Sequence, residues 1–388
     1  MKICFRVGLS LVATIVFAVT SISFAGESWN VRDLGYVGSN TRIADINDAG
    51  VVVGQLWPPG GAPYAFVMDN GVITDLGIND GEAIAVNNAG QVIGNYWDPF
   101  RKAFFWQKGN MVDLGGLGGR FTVATAINDS GEVVGYSQTE AGYTHAFIWK
   151  NGVMTDLGTL SGGNESVATA INDAGEVAGL SSTSVGYVIY NVFRWAKGRM
   201  QDLGRSPIAD GVPDYYDWSY VGLIMNKKGE VAAQTKMYPL TFVFSKDTWT
   251  STADPNATHN FHLSVAEVIN DKGVFAGTYF DDDGDNLGFV WSEGETTYIK
   301  NPDKEYVIAP DYALKDNSSR IYDMNNKGVV VGSSYNLYGP GSHAIVWEKG
   351  VTTLLPTLFG DEGRAFAINK KGEIAGLNRG HMVLWTKK

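Results

Sequence analysis

Apolar and polar residues alternate with a period of two along most of this chain, in runs of about four to eight residues separated by Gly- and Asn-rich breaks, which is the signature of short β-strands. Around Ala126 four such runs follow one another: VATAIN, EVVGYS, HAFIW and VMTDLG. The first two are joined by Asp129-Ser130-Gly131, a tight turn in which Gly supplies the positive φ. The last two are joined through Asn151-Gly152, the strongest short hairpin signal. The segment is therefore predicted to form two hairpins, with strands A, B, C and D in order.

The same pattern recurs along the chain. One nine-residue phrase occurs eight times: INDAGVVVG from Ile46, VNNAGQVIG from Val86, INDSGEVVG from Ile127, INDAGEVAG from Ile171, MNKKGEVAA from Met225, INDKGVFAG from Ile269, MNNKGVVVG from Met324 and INKKGEIAG from Ile368. The offsets are 40, 41, 44, 54, 44, 55 and 44 residues, and the Asn and the turn Gly stand in all eight copies. A strand-C phrase follows each copy, as in KAFFW from Lys102, HAFIW from His145, LGFVW from Leu287 and HAIVW from His343. The unit at Thr241 (TFVFSKD) is the most degenerate. A strand-D phrase then closes most units, as in ITDLG from Ile73 and MQDLG from Met200. Four strands in about 40 to 45 residues is the size of one propeller blade.

The two ends complete the count. WNVRDLG, from Trp29, is a strand D with no A, B or C before it, and HMVLWTKK, from His381, is a strand C with no D after it. A ring in which the first strand completes the last blade uses both. It also removes the exposed edges that an open solenoid would have to cap. The predicted fold is all-β, a single β-propeller of eight four-stranded blades closed by the N-terminal strand, with seven blades as the alternative count.

These phrases resemble the secreted HAF-repeat proteins. The HAF-hydrophobic-Trp phrase stands as HAFIW from His145 and more loosely as KAFFW, LGFVW and HAIVW, and the paired DLG and INDxG phrases stand in MTDLGTLSGGNESVATAINDAGEVAG from Met154. The resemblance covers nearly all of residues 30–388 and implies an extracellular, propeller-like protein. It implies no defined activity.

Composition narrows the setting. Gly is abundant, at 48 residues, while Pro is only 12, which suits many tight turns and excludes a collagen-like chain. Lys2 and Arg6, an apolar run from Val7 to about Val19, and Ser23-Phe24-Ala25 have the layout of a signal peptide over residues 1–25, leaving 26–388 as the propeller. An uncleaved membrane anchor is the alternative. The expected location is secreted or periplasmic, with no stable membrane insertion after cleavage. Cleavage removes two cations and no acids, moving the formal charge from −11 to −13, so the global field repels nucleic acid. The one cysteine, Cys4, lies in the leader, so the mature chain has no disulfide.

A residue present in every unit is explained first by blade geometry. The Trp series (Trp106, Trp149, Trp195, Trp291, Trp347, Trp385) is expected to fill the wedges between blades, the motif Asn and Asp to bond their own turns, and His145 and His343 to be structural. Function is then sought in the long D–A links, Arg205 to Tyr220, Asp254 to Ser264 and Asn301 to Arg320. The first brings Tyr215, Tyr216, Asp217 and Trp218 together and the third adds Tyr312, a set suited to stacking on sugar rings and accepting hydroxyl hydrogen bonds. The competing reading is an insertion packed on the ring. Asp281, Asp283 and Asp285 form an acidic B–C link that could ligate calcium. The EF-hand template fails there, because Asn286 stands where Gly is needed and Ser292 where the bidentate Glu is needed, so a solvated acidic turn is the alternative. His259 and His262 lack a third zinc ligand. No nucleophile elbow, HExxH or phosphate loop is present.

The expected function is a secreted, non-catalytic binding protein that uses the variable-loop face for an extracellular polysaccharide or a cell-surface protein partner, with no cofactor beyond that calcium site. Two alternatives stand beside it. One is a glycan-cleaving hydrolase or lyase with acidic and aromatic groups over the central channel; the other is a structural surface or adhesion module.

Overall fold

A computed structural model describes residues 21–22, 29–58, 60–184, 190–205, 223–234, 241–245, 248–251, 263–280, 285–302, 305–309, 312–336 and 341–388. Among these residues the structure is all-β, with eight antiparallel four-stranded sheets arranged as a β-propeller. Blade 1 comprises Arg42–Ile46, Val52–Leu56, Tyr64–Asp69 and Val72–Asn79. Blades 2 to 7 repeat the plan from inner strands Glu82–Val86, Gly118–Ile127, Ser166–Ile171, Leu223–Met225, Leu263–Ile269 and Ser318–Met324. Blade 8 takes Gly363–Ile368, Ile374–Asn378 and His381–Lys387 from the end of the chain and Trp29–Tyr36 from its beginning, with Trp29 paired to Lys387 and Tyr36 to His381. The ring is thus closed by the N-terminal strand, as the repeat count predicts. A two-residue strand, Ser21–Ile22, pairs with Arg32 and Val31 on the outer edge of that blade. A separate hairpin, Glu305–Ala309 with Tyr312–Lys315, stands between blades 6 and 7.

The repeated phrases are legible as geometry. Strand A carries a bulge in seven blades: Ala44, Ile84, Thr125, Thr169, Glu267, Tyr322 and Phe366 are skipped in the pairing with strand B. The bulge pushes a strand-A carbonyl onto the last Gly of the nine-residue phrase. A Cβ on Gly135 would stand 1.9 Å from the Val123 carbonyl oxygen, and one on Gly332 2.1 Å from that of Arg320. Blade 5 has Ala233 at this place, and there Leu223 pairs directly with Ala233 and Ile224 with Ala232, with no skipped residue. The degenerate unit has lost the glycine and the bulge together. It still forms four strands.

The DLG phrase is a second device. Asp33, Asp75, Asp113, Asp156 and Asp202 each accept the N–H of the Gly two residues on. That Gly has positive φ, 71° at Gly158 for example. The C–D link Asn151-Gly152 has positive φ at both residues, 50° and 85°, as a tight hairpin of this sequence requires. Between blades, apolar clusters each draw on two neighbours. One joins Val134 and Ala146 of blade 3 to Ala168, Val177 and Phe193 of blade 4, with Trp195 packed against it. Trp149 and Trp385 are buried and Trp106, Trp291 and Trp347 half-buried in such wedges, the packing role the sequence predicts.

Candidate functional site

The inner strands surround a central channel, and the A–B turns close in on one of its mouths. The motif Asn forms a continuous ring there. Asn47 Nδ2 donates to the backbone oxygen of Asn87 (3.0 Å), Asn87 to Asn128 (2.9 Å) and Asn128 to Asn172 (3.1 Å). Asn172 reaches the oxygen of Lys227 (3.4 Å), and Asn226, Asn270 and Asn325 reach those of Asn270, Asn325 and Asn369. Asn369 returns to Asn47 (3.0 Å). Each Asn also caps its own turn, as Asn128 Oδ1 does for the N–H groups of Ser130 and Glu132. The capping was predicted; the link between blades was not.

The following residue builds a second ring, and here the expectation differs from what is found. Asp129 and Asp173 do not bond their own turns. Their carboxylates accept the backbone N–H of the preceding blade, Asn88 and Asp129 respectively. Lys227 and Lys370 pair with Asp173 and Asp48. Together the two rings line a cavity of about 330 Å³. Because these polar groups already serve one another, the cavity wall at this mouth is scaffold.

Further along strand A the eight blades cease to be alike. Three positions of strand A lie two, three and five residues before the motif Asn. In blades 3 and 4 they hold Ala126, Thr125 and Val123, and Ala170, Thr169 and Val167. In blade 7 they hold Asp323, Tyr322 and Arg320. Blade 8 has Phe366 and Arg364, blade 1 has Asp45 and Arg42, and blade 6 has Glu267. Apart from Glu82 of blade 2, the charged and aromatic side chains at these positions gather on the consecutive blades 6, 7, 8 and 1.

They also engage one another. The Tyr322 and Phe366 rings lie 5.0 Å apart across two blades, and the Arg320 guanidinium sits 5.7 Å from the Tyr322 ring centre. Arg364 Nε donates to Ser342 Oγ of blade 7 (3.0 Å). Arg42, Arg320 and Arg364 are all exposed. Glu267 faces Arg320, yet burial raises its carboxyl above the usual range.

Two aspartates at these positions are each held from two blades. Asp45 accepts N–H bonds from Ile46 (2.8 Å) and, across the wedge, from Val86 of blade 2 (2.9 Å). Asp323 accepts them from Met324 (2.7 Å) and from Ile368 of blade 8 (2.8 Å). Burial pushes Asp45 up to about 6 against those two N–H bonds. Burial pushes Asp323 up to about 7, opposed by its two N–H bonds and reinforced by the charge on Asp45. Both carboxyls are thus held above the ordinary aspartate range, Asp323 further than Asp45.

Most residues singled out from the sequence lie elsewhere. Tyr215, Tyr216, Asp217, Trp218, Asp281 and Asp283, and likewise His259 and His262, fall outside the described residues. Tyr312 stands in the extra hairpin, its backbone opposite Ala309. Asp285 Oδ1 accepts a bond from Asn317 Nδ2, tying its link to the one before blade 7. His145 pairs with Asp156 of its own strand D (2.8 Å), while His343 is buried against Asp316 (2.9 Å), which stands in for the DLG aspartate blade 7 lacks. The wall residues Asp45, Asp323, Glu267, Tyr322, Phe366 and the three arginines were missed. A column-by-column comparison of the repeats carries the signal, since RIADIN and RIYDMN stand beside VATAIN.

No protein-family profile matches the chain, and no curated relative does. In fold it is similar to a prolyl endopeptidase (TM-score 0.53, 11% identity), covering 92% of this chain and 55% of the other, so it spans about half of that enzyme's length. It is also similar to the β-propeller domain of the trilobed protease from Pyrococcus furiosus (TM-score 0.48, 10% identity, 82% and 96% covered). A third is the oligogalacturonate lyase from Vibrio parahaemolyticus (TM-score 0.48, 8% identity, 96% and 97% covered). At these identities the likeness shows the fold, an eight-bladed propeller. It also corrects the expectation of a non-catalytic binding protein. The three named here are an endopeptidase, a domain of a protease and a lyase, none of them described as a non-catalytic binding protein.

Proposed function

We propose that the protein is a glycan-cleaving enzyme, a hydrolase or lyase, whose acid–base chemistry is carried by Asp45 and Asp323 on the channel wall. The observation that supports this most is their placement. Two carboxyls stand at one strand position that is Ala, Ile or Val in the other six blades, each aimed by two backbone N–H bonds. In hydrolysis the ionised carboxylate takes a proton from water as it attacks the anomeric carbon, and the protonated carboxyl gives its proton to the departing glycosidic oxygen. In elimination the carboxylate takes a proton from the sugar carbon beside a uronate group, a carbon–carbon double bond forms, and the other carboxyl protonates the leaving oxygen. Tyr322 and Phe366 offer aromatic faces on which a sugar ring can rest beside the pair. The reading includes membership among the HAF-repeat proteins and a leader at residues 1–25 that carries the chain out of the cytoplasm, where polysaccharide substrates are found.

The test is turnover of a polysaccharide panel by residues 26–388, followed by reducing ends and by the ultraviolet absorbance of unsaturated products. Asp323→Asn and Asp45→Asn are each expected to lower kcat by about 10²- to 10⁴-fold, with the fold intact by circular dichroism. The expected kcat/KM profile is a bell with limbs near pH 6 and pH 7. Thr169→Ala, at the bulge of blade 4, should leave kcat unchanged. Full activity in both Asp variants, or no cleavage of any glycan, would overturn the proposal.

A further inference from the structure

The chain carries a formal charge of −11, yet three exposed arginines stand at one register position on three consecutive inner strands. These are Arg320, Arg364 and Arg42 of blades 7, 8 and 1, each five residues before the motif Asn; the remaining blades have Val or, in blade 2, Glu82. Glu82 is itself committed, bonded to Arg101 at 2.8 Å. The three guanidinium groups thus form a basic arc at the channel mouth opposite the Asn ring. Along strand A, Arg42 precedes Asp45 and Arg320 precedes Asp323 by three residues, a span below the roughly 10 Å of a regular strand because the bulge lies within it. A chain of sugars held at the arginines would therefore have another of its units at the carboxyl pair.

We infer that the substrate is an acidic glycan whose carboxylate groups are gripped by Arg42, Arg320 and Arg364. The inference deepens the glycan-cleaving reading and rests on it. Arginine suits the task because its planar fork meets a carboxylate with two parallel bonds and stays charged at any pH of interest. Arg364 spends Nε on Ser342, and Arg320, exposed, stands 5.7 Å from the Tyr322 ring centre. The track continues beyond the mouth. Arg42 pairs in register with Gln55, whose side chain accepts the Trp57 indole N–H (3.0 Å). Trp57 and, on the next blade, Trp97 are exposed at the same end of their blades, 39% and 63%. Arg120 lies 5.6 Å from the neighbouring Phe100 ring. Aromatic faces outside a basic mouth suit a polymer that alternates apolar sugar faces with carboxylates. Neutral glycans would gain the stacking but nothing from the arc.

The experiment is calorimetric titration of the Asp323→Asn variant, which should bind without turning over, with hexamers of mannuronate and of galacturonate. The controls are the same hexamers with their carboxyls reduced to alcohols, dextran sulfate, and single-stranded DNA. At least one uronate hexamer is expected to bind. Its Kd should rise at least tenfold in Arg320→Gln, Arg364→Gln or Arg42→Gln, and should weaken steeply with salt. Arg320→Lys should recover part of the loss, which a merely unfolded variant could not do. The inference is overturned if the reduced hexamer binds as tightly, if all three Gln variants keep the parent Kd, or if only sulfate or DNA binds. Uronate binding without cleavage by the unmodified protein would sink the catalytic reading while leaving the arginine arc standing. Cleavage of neutral glycans alone would do the reverse.

Discussion

The inner strands of blades 3 and 7 share a backbone and differ in what they present. Both carry the same bulge, at Thr125 and Tyr322, and both bring a motif Asn into the ring, Asn128 onto the oxygen of Asn172 and Asn325 onto that of Asn369. Both pack a Gly under a displaced carbonyl, Gly135 and Gly332. Yet at the same three positions blade 3 carries Val123, Thr125 and Ala126, and blade 7 carries Arg320, Tyr322 and Asp323. The comparison separates two kinds of position inside one repeat. What is identical holds the ring shut; what differs, three residues in the same strand, is where the proposed chemistry is sited.

If that separation is right, damage to the shared positions should not depend on the blade. Asn128→Ala removes two bonds donated by Nδ2, to Asn172 and Glu132, and two accepted by Oδ1, from Ser130 and Glu132, all where water is scarce. A cost of about 3 to 5 kcal/mol is expected, since each bond contributes about 1 kcal/mol and the N–H groups left unpaired add to it. Asn325→Ala, with three such bonds because Val329 stands where blade 3 has Glu132, should cost about 1 kcal/mol less. Denaturant unfolding of both variants measures it, and a much smaller cost in blade 7 would mean that the ring is not shared equally.

The bulge gives a smaller and sharper contrast. Gly135→Ala sets a Cβ against the Val123 oxygen, so strand A must lose its bulge or shift, at a cost of about 2 to 3 kcal/mol. Gly332→Ala should match it. In blade 5 the bulge is already absent and Ala233 pairs normally, so Ala233→Gly should change stability by less than about 1 kcal/mol. Thermal unfolding of the three variants decides the matter. Equal losses at Gly135 and Ala233 would show that the glycine is not what the bulge requires.

This division also explains what the sequence made visible. The eight units, the order of strands in each and the closing of blade 8 by Trp29–Tyr36 all follow from repetition, because a repeat reports its own geometry eight times over. The site was harder for the same reason. Reading a recurring position as scaffold is sound for Asn128 or Trp149, but it hid Asp45 and Asp323, which occupy a column that is Ala in four blades. The conspicuous aromatics, Tyr216 and Trp218, lie instead in a long link. The ring of Asn side chains was illegible for another reason: a bond from Asn47 to Asn87 spans 40 residues and depends on how two blades meet, which no local pattern encodes.

The smallest effect tests the two strands through acidity. Asp323 has a folded value of about 7 against an ordinary 3.8, so the folded state binds its proton more tightly than the unfolded chain does. Its favourable contribution is complete below about pH 4 and is lost as the pH rises through 7. At pH 8 the ionised carboxylate is a burden, and Asp323→Asn should be more stable than the parent by about 2 kcal/mol, less than the full shift implies because the side chain is only half-buried. At pH 4 that advantage should vanish. Ala126→Asn, at the matching place in blade 3, has no acid to remove and should show no such pH-dependent gain. Stability curves for the three proteins from pH 4 to 8 would reveal it. If parent and Asp323→Asn run parallel throughout, Asp323 titrates like any surface aspartate, and the split between a protonated and an ionised carboxyl that the proposed chemistry requires fails with it.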